Sequence, residues 1–423
     1  MRQAVKIMKV KMHKWAIVLT LFAVAAGVVQ AQAPQHIRVA PAPNPAPAPD
    51  MVYTKLATAY ASKVKDGQVW VYQSDCESMA QVPGEAAEDK TKNVSHTFKV
   101  SAADKLVLEN KYGRVHVNTW NKNEISINVS MKASGTTEAE AQKLLDRVGV
   151  QVQEDKGAKT ISLKTTFDNV SKYTTNNNKC HDVKYEVNYT VNMPKNNPLE
   201  LKNSFGDVYV ADFSGPTNLT VKYGNLKTEK LQHKDNQIKV AFGGATIPFA
   251  KQADINCSYS KLRLDNSDNL DLKSSFSEVT LADVNTLNLT SKYDKLNFGT
   301  ITNLTGSSGF SKFTADRLSD KLDMTVSYCD NFEVKSIGKN FNAINLDSKF
   351  STLNLHFDRN AAFNFDVNTR FSNLNVKEGL VNYNRTESTH TTNDYKGRYG
   401  SASPKGNVVI KAQYGNVKFQ QQE

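Results

Sequence analysis

The residues of this 423-residue chain that could do chemistry are first of all three carboxylates, Asp265, Asp268 and Asp271, in the segment LDNSDNLDL. Clustered aspartates can serve as acid and base in polysaccharide cleavage, and they can bind calcium. Neighbouring segments offer Lys, Ser and Asn at the corresponding positions, with no repeated acidic column. The simpler interpretation is that these aspartates are exposed in turns, so we predict no catalytic residue and no enzyme.

Other catalytic or cofactor-binding signatures are missing from the sequence. The eight histidines do not have the spacing of metal ligands, and no GxSxG, P-loop or GxGxxG motif occurs. We therefore predict neither a metal site nor a cofactor.

A polar segment, NYNRTESTHTTNDYKGRYGS at 382–401, is the best candidate for a contact surface. It forms the longest insertion into the repeat described next, and loops of such length are often functional or disordered. We predict that its tyrosines, Tyr383, Tyr395 and Tyr399, belong to a binding surface.

A repeat of 17 to 22 residues would position all these side chains. Positions four and two before each repeated aromatic residue are mostly apolar or small, which defines one face of a strand. The next residue is Gly, Ser, Asp or Cys, which suits a bend. We expect the aromatic residues to point inward and to stack as a structural column: Phe205, Tyr223, Phe242, Tyr259, Phe276, Tyr293, Phe310, Tyr328, Phe350 and Phe371.

Such short units cannot bury a face alone and must stack on their neighbours. The sequence thus predicts an all-β parallel β-solenoid (β-helix) of about ten units, a rod about 50 Å long. One unit per coil is favoured. Phe and Tyr alternate from 205 to 328, however, and coils of two units would stack Phe on Phe. An antiparallel arrangement also stays open. Longer spacings between Tyr328 and Phe371 indicate extra loops or bulges.

The repeat also bears on the cysteines. Cys257 and Cys329 lie four units apart, about 10 Å even with two units per coil, which exceeds the reach of a disulfide. We predict that they are unpaired, whereas a bridge between Cys76 and Cys180 is allowed in an exported protein.

The chain before the repeat divides into several segments. Residues 1–31 have a basic start, an apolar run from Trp15 to Val29 and a small-residue site, as in a secretory signal peptide cleaved after Ala31. A Pro/Ala-rich linker (32–50) and an uncertain segment (51–95) follow. We then predict a strand-rich part with one helix (96–198, helix about 137–148, capped by Thr137 and Glu140) and the repeat region (199–420).

Charge excludes one class of partner. The formal net charge is +11, but five of the basic residues precede residue 32, which leaves 48 basic and 42 acidic residues, a net charge of +6, in the remainder. Nucleic-acid binding requires a concentrated basic stripe. We therefore predict no nucleic-acid partner, and no membrane span once the signal is cleaved.

Three motifs carry a resemblance to a known family: NKYGRVHVNTW (110–120), VNYTVNMP (187–194) and LELKNSFGDVYV (199–210). The stretch 96–420 resembles a bacterial envelope family of β-helical domains of unknown function labelled putative adhesins. The resemblance implies an exported β-solenoid that acts as an adhesin or envelope component.

Together these observations predict an exported, non-enzymatic, adhesin-like or structural binding protein. It would lie in the periplasm or on the surface of a Gram-negative-type bacterium and bind an unknown protein or glycan of the envelope or of a host surface. Two alternatives stay open: a periplasmic signalling or scaffold component, and a polysaccharide-active enzyme built on a β-helix.

Overall fold

The computed structural model describes residues 88–168 and 184–422, together with the backbone of two short antiparallel strands, β1 (Ser62–Lys65) and β2 (Gln68–Val71). The predicted signal peptide, the Pro/Ala-rich linker and the pair Cys76 and Cys180 lie outside the described residues. The described part is all-β with one helix, and its other 27 strands form one long, mostly parallel sheet.

Both strand directions occur in the N-terminal part of this sheet. Its strands are β3 (Glu88–Lys99), β4 (Lys105–Lys111), β5 (Val115–Trp120), β6 (Glu124–Gly135), β7 (Val148–Asp155), β8 (Thr160–Phe167) and β9 (Lys184–Pro194). Strands β3 and β9 pair antiparallel with β6, and β7 pairs antiparallel with β8. In contrast, β4 pairs parallel with β8, and β5 with β9.

The predicted helix is confirmed as α1 (Glu138–Leu145). The Thr137 hydroxyl accepts a hydrogen bond from the Glu140 backbone N–H at 3.2 Å, which satisfies one of the free donors at the helix start. Ala141, Leu144 and Leu145 are buried. The helix is shorter than predicted, because Val148 already begins β7.

Parallel stacking of the repeat, predicted from the sequence, is confirmed by the strand register. The strands of this part are β10 (Leu199–Ser204), β11 (Val208–Val210), β12 (Thr217–Lys222), β13 (Asn225–Thr228), β14 (Lys230–Leu231), β15 (Asn236–Ala241), β16 (Gly244–Ser258), β17 (Lys261–Ser275), β18 (Glu278–Lys292), β19 (Lys295–Gly309) and β20 (Lys312–Ser327). From β16 to β19, Gly244 pairs with Lys261, Lys261 with Glu278, and Glu278 with Lys295. Each turn of the chain therefore advances by 17 residues here, which is one repeat unit.

The stack continues into the N-terminal part. Leu201 of β10 pairs with Leu108 of β4, and Val208 of β11 pairs with Val115 of β5, both in parallel. Strand hydrogen bonds thus cross the predicted boundary at residue 198, and the division into 96–198 and 199–420 stays a prediction of the sequence.

At the other end, spatial order departs from chain order. The strands here are β21 (Phe332–Ile337), β22 (Ala343–Lys349), β23 (Leu353–Phe357), β24 (Phe363–Arg370), β25 (Leu374–Val376), β26 (Val381–Ser388), β27 (Thr392–Tyr399), β28 (Gly406–Gln413) and β29 (Val417–Gln421). The last segment of the chain, β28 and β29, lies between two earlier ones. Strand β28 pairs in parallel with both β22 and β24, and β29 pairs in parallel with both β23 and β25.

The insertion at 382–401 is a β-hairpin and not the loop that its polar composition suggested. Its strand β27 pairs antiparallel with β24 and with β26, so the hairpin covers the open edge of the stack. The irregularities predicted between Tyr328 and Phe371 are confirmed by non-strand segments at 338–342 and 358–362 and by a register shift after Val334.

Candidate functional site: a stripe of stacked aromatic residues

Each coil from that of β4 and β5 through that of β28 and β29 turns a corner at an aromatic residue in the left-handed region. Their φ values lie between 49° and 62°, and Lys159 is the only other non-glycine residue with positive φ in 88–168 and 184–422. We name these residues the aromatic stripe, in spatial order: Tyr112, Phe205, Tyr223, Phe242, Tyr259, Phe276, Tyr293, Phe310, Tyr328, Phe350, Tyr414 and Phe371.

The prediction that these rings point inward was wrong. Nine of the twelve side chains are between 38% and 49% exposed, and the other three are half-buried. The sequence pattern continued the two-residue alternation through the corner, but a residue with positive φ interrupts that alternation. Around Tyr259, for example, the inward-facing residues are Cys257 and Ser260, so the ring is left outside.

The residue after each ring, which sequence reasoning assigned only to the bend, is buried or half-buried. In the early coils it is glycine, because the preceding coil approaches closely: a Cβ on Gly206 would lie 1.9 Å from the Gly113 carbonyl oxygen. The coil of Tyr414 also has a glycine, Gly415, whose Cβ would lie 2.0 Å from the Ser351 carbonyl oxygen. In the other coils it is a buried small polar residue or cysteine: Ser260, Ser277, Asp294, Ser311, Cys329, Ser351 and Ser372.

These small polar residues satisfy backbone groups at the corners. The Ser277 backbone N–H donates to an Asp294 carboxylate oxygen at 2.7 Å, and the Asp294 N–H donates to the Ser311 hydroxyl oxygen at 3.0 Å. The Ser274 and Ser291 hydroxyls each donate to the other Asp294 oxygen at 2.7 Å. Buried backbone donors require such partners, so this internal ladder fixes the corner that presents the ring.

Along the stripe, neighbouring ring centroids are 4.7 to 5.4 Å apart and the rings are close to parallel. Tyr and Phe alternate through all twelve positions, since Tyr414 lies between Phe350 and Phe371. The column predicted from the sequence is therefore a continuous stack, with two corrections. Tyr414 lies between Phe350 and Phe371, which the sequence placed next to each other. Each Phe stacks on a Tyr, so the alternative of two repeat units per coil, which would stack Phe on Phe, is wrong.

This arrangement limits what the stripe can bind. Each ring face inside the stack is covered by the next ring, so the exposed atoms are ring edges and, at every second position, a tyrosine hydroxyl. The hydroxyls recur about every 10 Å, which is twice the strand spacing. A sugar ring cannot lie flat on a covered face. The stripe is thus a narrow apolar ridge about 50 Å long with regularly placed polar atoms.

One flank of the ridge is cationic. The residue preceding each ring is basic at five of the twelve positions and acidic at none. The Lys292 ammonium lies 5.1 Å from the Tyr293 ring centroid and 5.9 Å from that of Phe310, close enough for cation–π attraction. The basic residues are Lys111, Lys222, Lys292, Lys349 and Arg370.

Of the three tyrosines predicted as a contact surface, two lie at the surface of the hairpin and one is buried; for Tyr383 and Tyr395 the contact role stays a prediction. Tyr383 is 44% exposed and Tyr395 is half-buried, with ring centroids 6.1 Å apart. Tyr399 is 1% exposed and stacks on Phe363 at 4.6 Å, and this burial raises the pKa of its hydroxyl. The prediction was wrong for Tyr399, because alternation within β27 directs it into the core.

The aspartates considered for catalysis lie in the long strand β17 and not in turns. Asp265 is half-buried and pairs with Arg263 at 2.9 Å. Asp271 is exposed and accepts a hydrogen bond from the Asn288 amide at 3.1 Å. Asp268 is exposed and shares a shallow cleft with Asp283. The structure thus distributes the three side chains along a strand and gives two of them other partners.

Cys257 and Cys329 are buried and unpaired, as predicted. Burial raises the pKa of the Cys257 thiol to about 11 and raises that of Cys329 as well.

Within the described ranges, no three His, Cys, Asp or Glu residues are grouped as a metal site requires, and no helix is long and apolar enough to cross a membrane.

No protein-family model and no curated protein matches the chain. Similar solved structures include a putative cell adhesion protein from Clostridium sporogenes (14% identity, TM-score 0.21); the match covers 79% of this chain and 100% of that protein's chain. A putative adhesin from Bacteroides fragilis (11%, 0.23) covers 78% and 97%, and a putative lipid binding protein from Parabacteroides distasonis (12%, 0.25) covers 77% and 96%. The adhesin descriptions match the label of the family that the sequence motifs resemble, but these scores are too low to transfer a function.

Proposed function

We propose that this chain is an exported, non-enzymatic, adhesin-like binding protein, a β-solenoid of about ten repeat units that holds an extended partner along the aromatic stripe. The observation that carries the proposal is the exposure of nine stacked rings on one continuous ridge. Contiguous exposed apolar surface on a soluble protein usually marks a binding site.

The corner geometry alone does not require exposed rings. Glycine and asparagine adopt positive φ at lower cost than an aromatic residue, for which the left-handed region costs about 1–2 kcal/mol. Ring stacking returns about 0.5–1.5 kcal/mol per pair, which roughly offsets that cost. A ladder of asparagines would hold the same corners without presenting apolar surface, so the use of rings at all twelve corners favours a contact role.

The surface chemistry indicates the kind of partner. Since the ring faces are covered, the ridge favours edge contacts with a polypeptide over the stacking of sugar rings. Its cationic flank favours acidic groups next to the apolar ones. We therefore propose an envelope or host-surface protein with an extended, partly acidic segment as the partner on the stripe.

The test is a set of ring deletions that keep the backbone. In the variant Tyr259→Asn/Phe276→Asn/Tyr293→Asn, asparagine retains positive φ and removes three adjacent rings. Val409→Asn is the matched control, because Val409 is 41% exposed and lies away from the stripe. Retention of labelled protein on isolated bacterial envelopes and on host-cell surfaces is measured for each. We expect the triple variant to lose at least tenfold and the control to bind normally; equal binding by all three proteins rules out the stripe.

Two other functions remain to be separated from this one. Protease treatment of intact cells removes a surface protein and spares a periplasmic scaffold. For a polysaccharide-active enzyme, wild-type protein must first release reducing ends from envelope polysaccharides, and Asp265→Asn/Asp268→Asn must then abolish that release. We expect no such release from the wild type.

A further inference from the structure

A second site with different chemistry lies at the C-terminal end of the stack, away from the stripe. A cleft of about 1110 Å³ opens over the outer face of β25 and β29, with its rim formed by the turns after β23 and β25. This volume slightly exceeds the usual range of about 300–1,000 Å³ for small-ligand sites. Nothing in the proposed function of the stripe depends on the cleft.

The cleft is cationic. Lys335, Arg359, Lys377 and Lys418 line it, together with His356, whereas Glu333 is the only acidic residue in its wall. The Glu333 carboxylate is already engaged: it lies 3.5 Å from the His356 imidazole and accepts a hydrogen bond from the Asn331 amide at 3.3 Å.

The four permanent cations differ in what they contact. Lys335 pairs with Asp316 at 2.9 Å, and the Arg359 Nε donates to the Gln422 carbonyl oxygen at 3.1 Å. Lys377 and Lys418 have no ion-pair or hydrogen-bond partner among residues 88–168 and 184–422. Lys418 is half-buried and Lys377 is exposed.

The same wall carries two amides. Lys418 of β29 lies opposite Asn375 of β25, and Gln420 lies two residues further along β29 on the same outward face. Lys377 directly follows the end of β25 at Val376. All four side chains line the cleft, and the adjacent strands that carry Asn375 and Lys418 are about 4.8 Å apart. The buried Phe419 and the half-buried Val376 and Leu380 form the apolar part of the wall.

We propose that this cleft binds an acidic saccharide, with its anionic group between Lys377 and Lys418 and its hydroxyls at Asn375 and Gln420. Amide side chains donate and accept at once, as sugar hydroxyls do, and unpaired ammonium groups select for a negative charge. The apolar wall suits the C–H surface of a pyranose. Uronic acids and sulfated or phosphorylated sugars all combine an anionic group with hydroxyls and therefore fit the cleft. The experiment must separate them from free phosphate and from lipid headgroups.

Calorimetric titration of the purified chain with a short oligogalacturonate is the direct test. The fully methyl-esterified oligomer has the same backbone without charge and serves as the matched ligand. We expect the acid to bind and the ester to bind at least tenfold more weakly. Sulfated and phosphorylated oligosaccharides compete if their sugar carries the recognised anion. Inorganic phosphate or anionic phospholipid vesicles that bind when no saccharide does overturn the assignment.

Protein variants supply the second readout. Lys418→Gln and Lys377→Gln remove one charge each, and we expect each to weaken oligogalacturonate binding five- to twentyfold. Lys411→Gln, an exposed lysine on β28 outside the cleft, is the control and should bind as the wild type does. The stripe variant Tyr259→Asn/Phe276→Asn/Tyr293→Asn should also retain saccharide binding, which distinguishes the two sites. Unchanged affinity in both cleft variants contradicts the proposal.

Discussion

At the scale of single residues, Asp294 shows how the interior of the stack tolerates a carboxylate. It is 5% exposed, and it accepts hydrogen bonds from two serine hydroxyls and from the backbone N–H groups of Ser277 and Lys292. Four donors stabilise the buried oxygen atoms, and neighbouring coils place Ser277 and Ser311 at the equivalent positions. Hydrogen bonding, and not an ion pair, therefore accounts for the burial of this side chain.

Substitution of Asp294 should reveal the energy of this ladder. Asp294→Ala leaves several buried donors without acceptors and should destabilise the surrounding coils by about 2–4 kcal/mol. Asp294→Ser retains a hydroxyl of the kind used in neighbouring coils and should cost less than half as much. Urea denaturation followed by circular dichroism measures both, and equal losses would show that the ladder contributes little.

The buried thiols give a prediction with a defined pH dependence. Because the pKa of Cys257 is raised to about 11, about one molecule in a thousand carries the thiolate at pH 8. In a Cys76→Ser/Cys180→Ser background, we expect Cys257 and Cys329 to react with a thiol reagent only after denaturation.

The raised pKa of Cys257 also sets the direction in which the stability of the fold changes with pH. An unfolded thiol ionises near its usual pKa of about 8.5, whereas folded Cys257 stays protonated until about pH 11. This contribution to stability is complete below pH 8.5 and is lost as the pH rises towards 11. Rapid modification of the native protein at pH 8 would contradict both statements.

At the scale of the structural element, the corner combines a strained residue with two compensating interactions. The aromatic residue adopts positive φ, its ring stacks on the neighbouring rings, and the next residue satisfies the free backbone groups inside. The strain and the stacking should therefore be separable by substitution at one corner.

Tyr259, with φ of 49°, is suitable for that separation. Tyr259→Phe keeps the ring and should melt as the wild type does. Tyr259→Asn and Tyr259→Gly lose the stacking but accept the backbone conformation, while Tyr259→Ala and Tyr259→Val also add strain, most of all for the β-branched valine. We expect thermal stability to fall in that order, with about 1–2 kcal/mol between asparagine and alanine. Alanine as stable as asparagine would mean that the corner is not strained.

At the scale of the whole molecule, the end of the chain completes a stack that begins with its earlier segments. The final strands β28 and β29 lie between the coil of β22 and β23 and that of β24 and β25. They supply the strand pairing along one edge of each of these two coils. The hairpin β26–β27 then covers β24, and its outer strand carries charges and a register shift after Tyr383, features that hinder edge-to-edge association.

Two deletions should therefore behave differently. Truncation after residue 405 removes β28 and β29 and should expose the segment from about 338 onward to limited proteolysis. Replacement of 382–398 by a short Gly-Ser linker keeps the buried Tyr399 but uncovers most of β24, and it should promote concentration-dependent association detected by light scattering. A protease-resistant truncated protein would show that β24 and β25 can dock on β22 and β23 without the inserted strands.

The sequence by itself determined the strand period, the capped helix at Thr137 and the separation of Cys257 from Cys329, because each depends on local alternation or on a fixed repeat length. It favoured parallel stacking but left an antiparallel arrangement open, and the strand register decided between them. Only the tertiary structure decided that the rings face outward, that Tyr414 lies between Phe350 and Phe371, and that Tyr399 is buried. The spacing of residues marks where a corner falls but not the sign of φ there, which decides the side to which the ring points. It also does not show which distant edge is free to pair with the last strands. The strict alternation of Tyr and Phe, broken only where Phe350 meets Phe371, was the one sequence signal of the inserted coil.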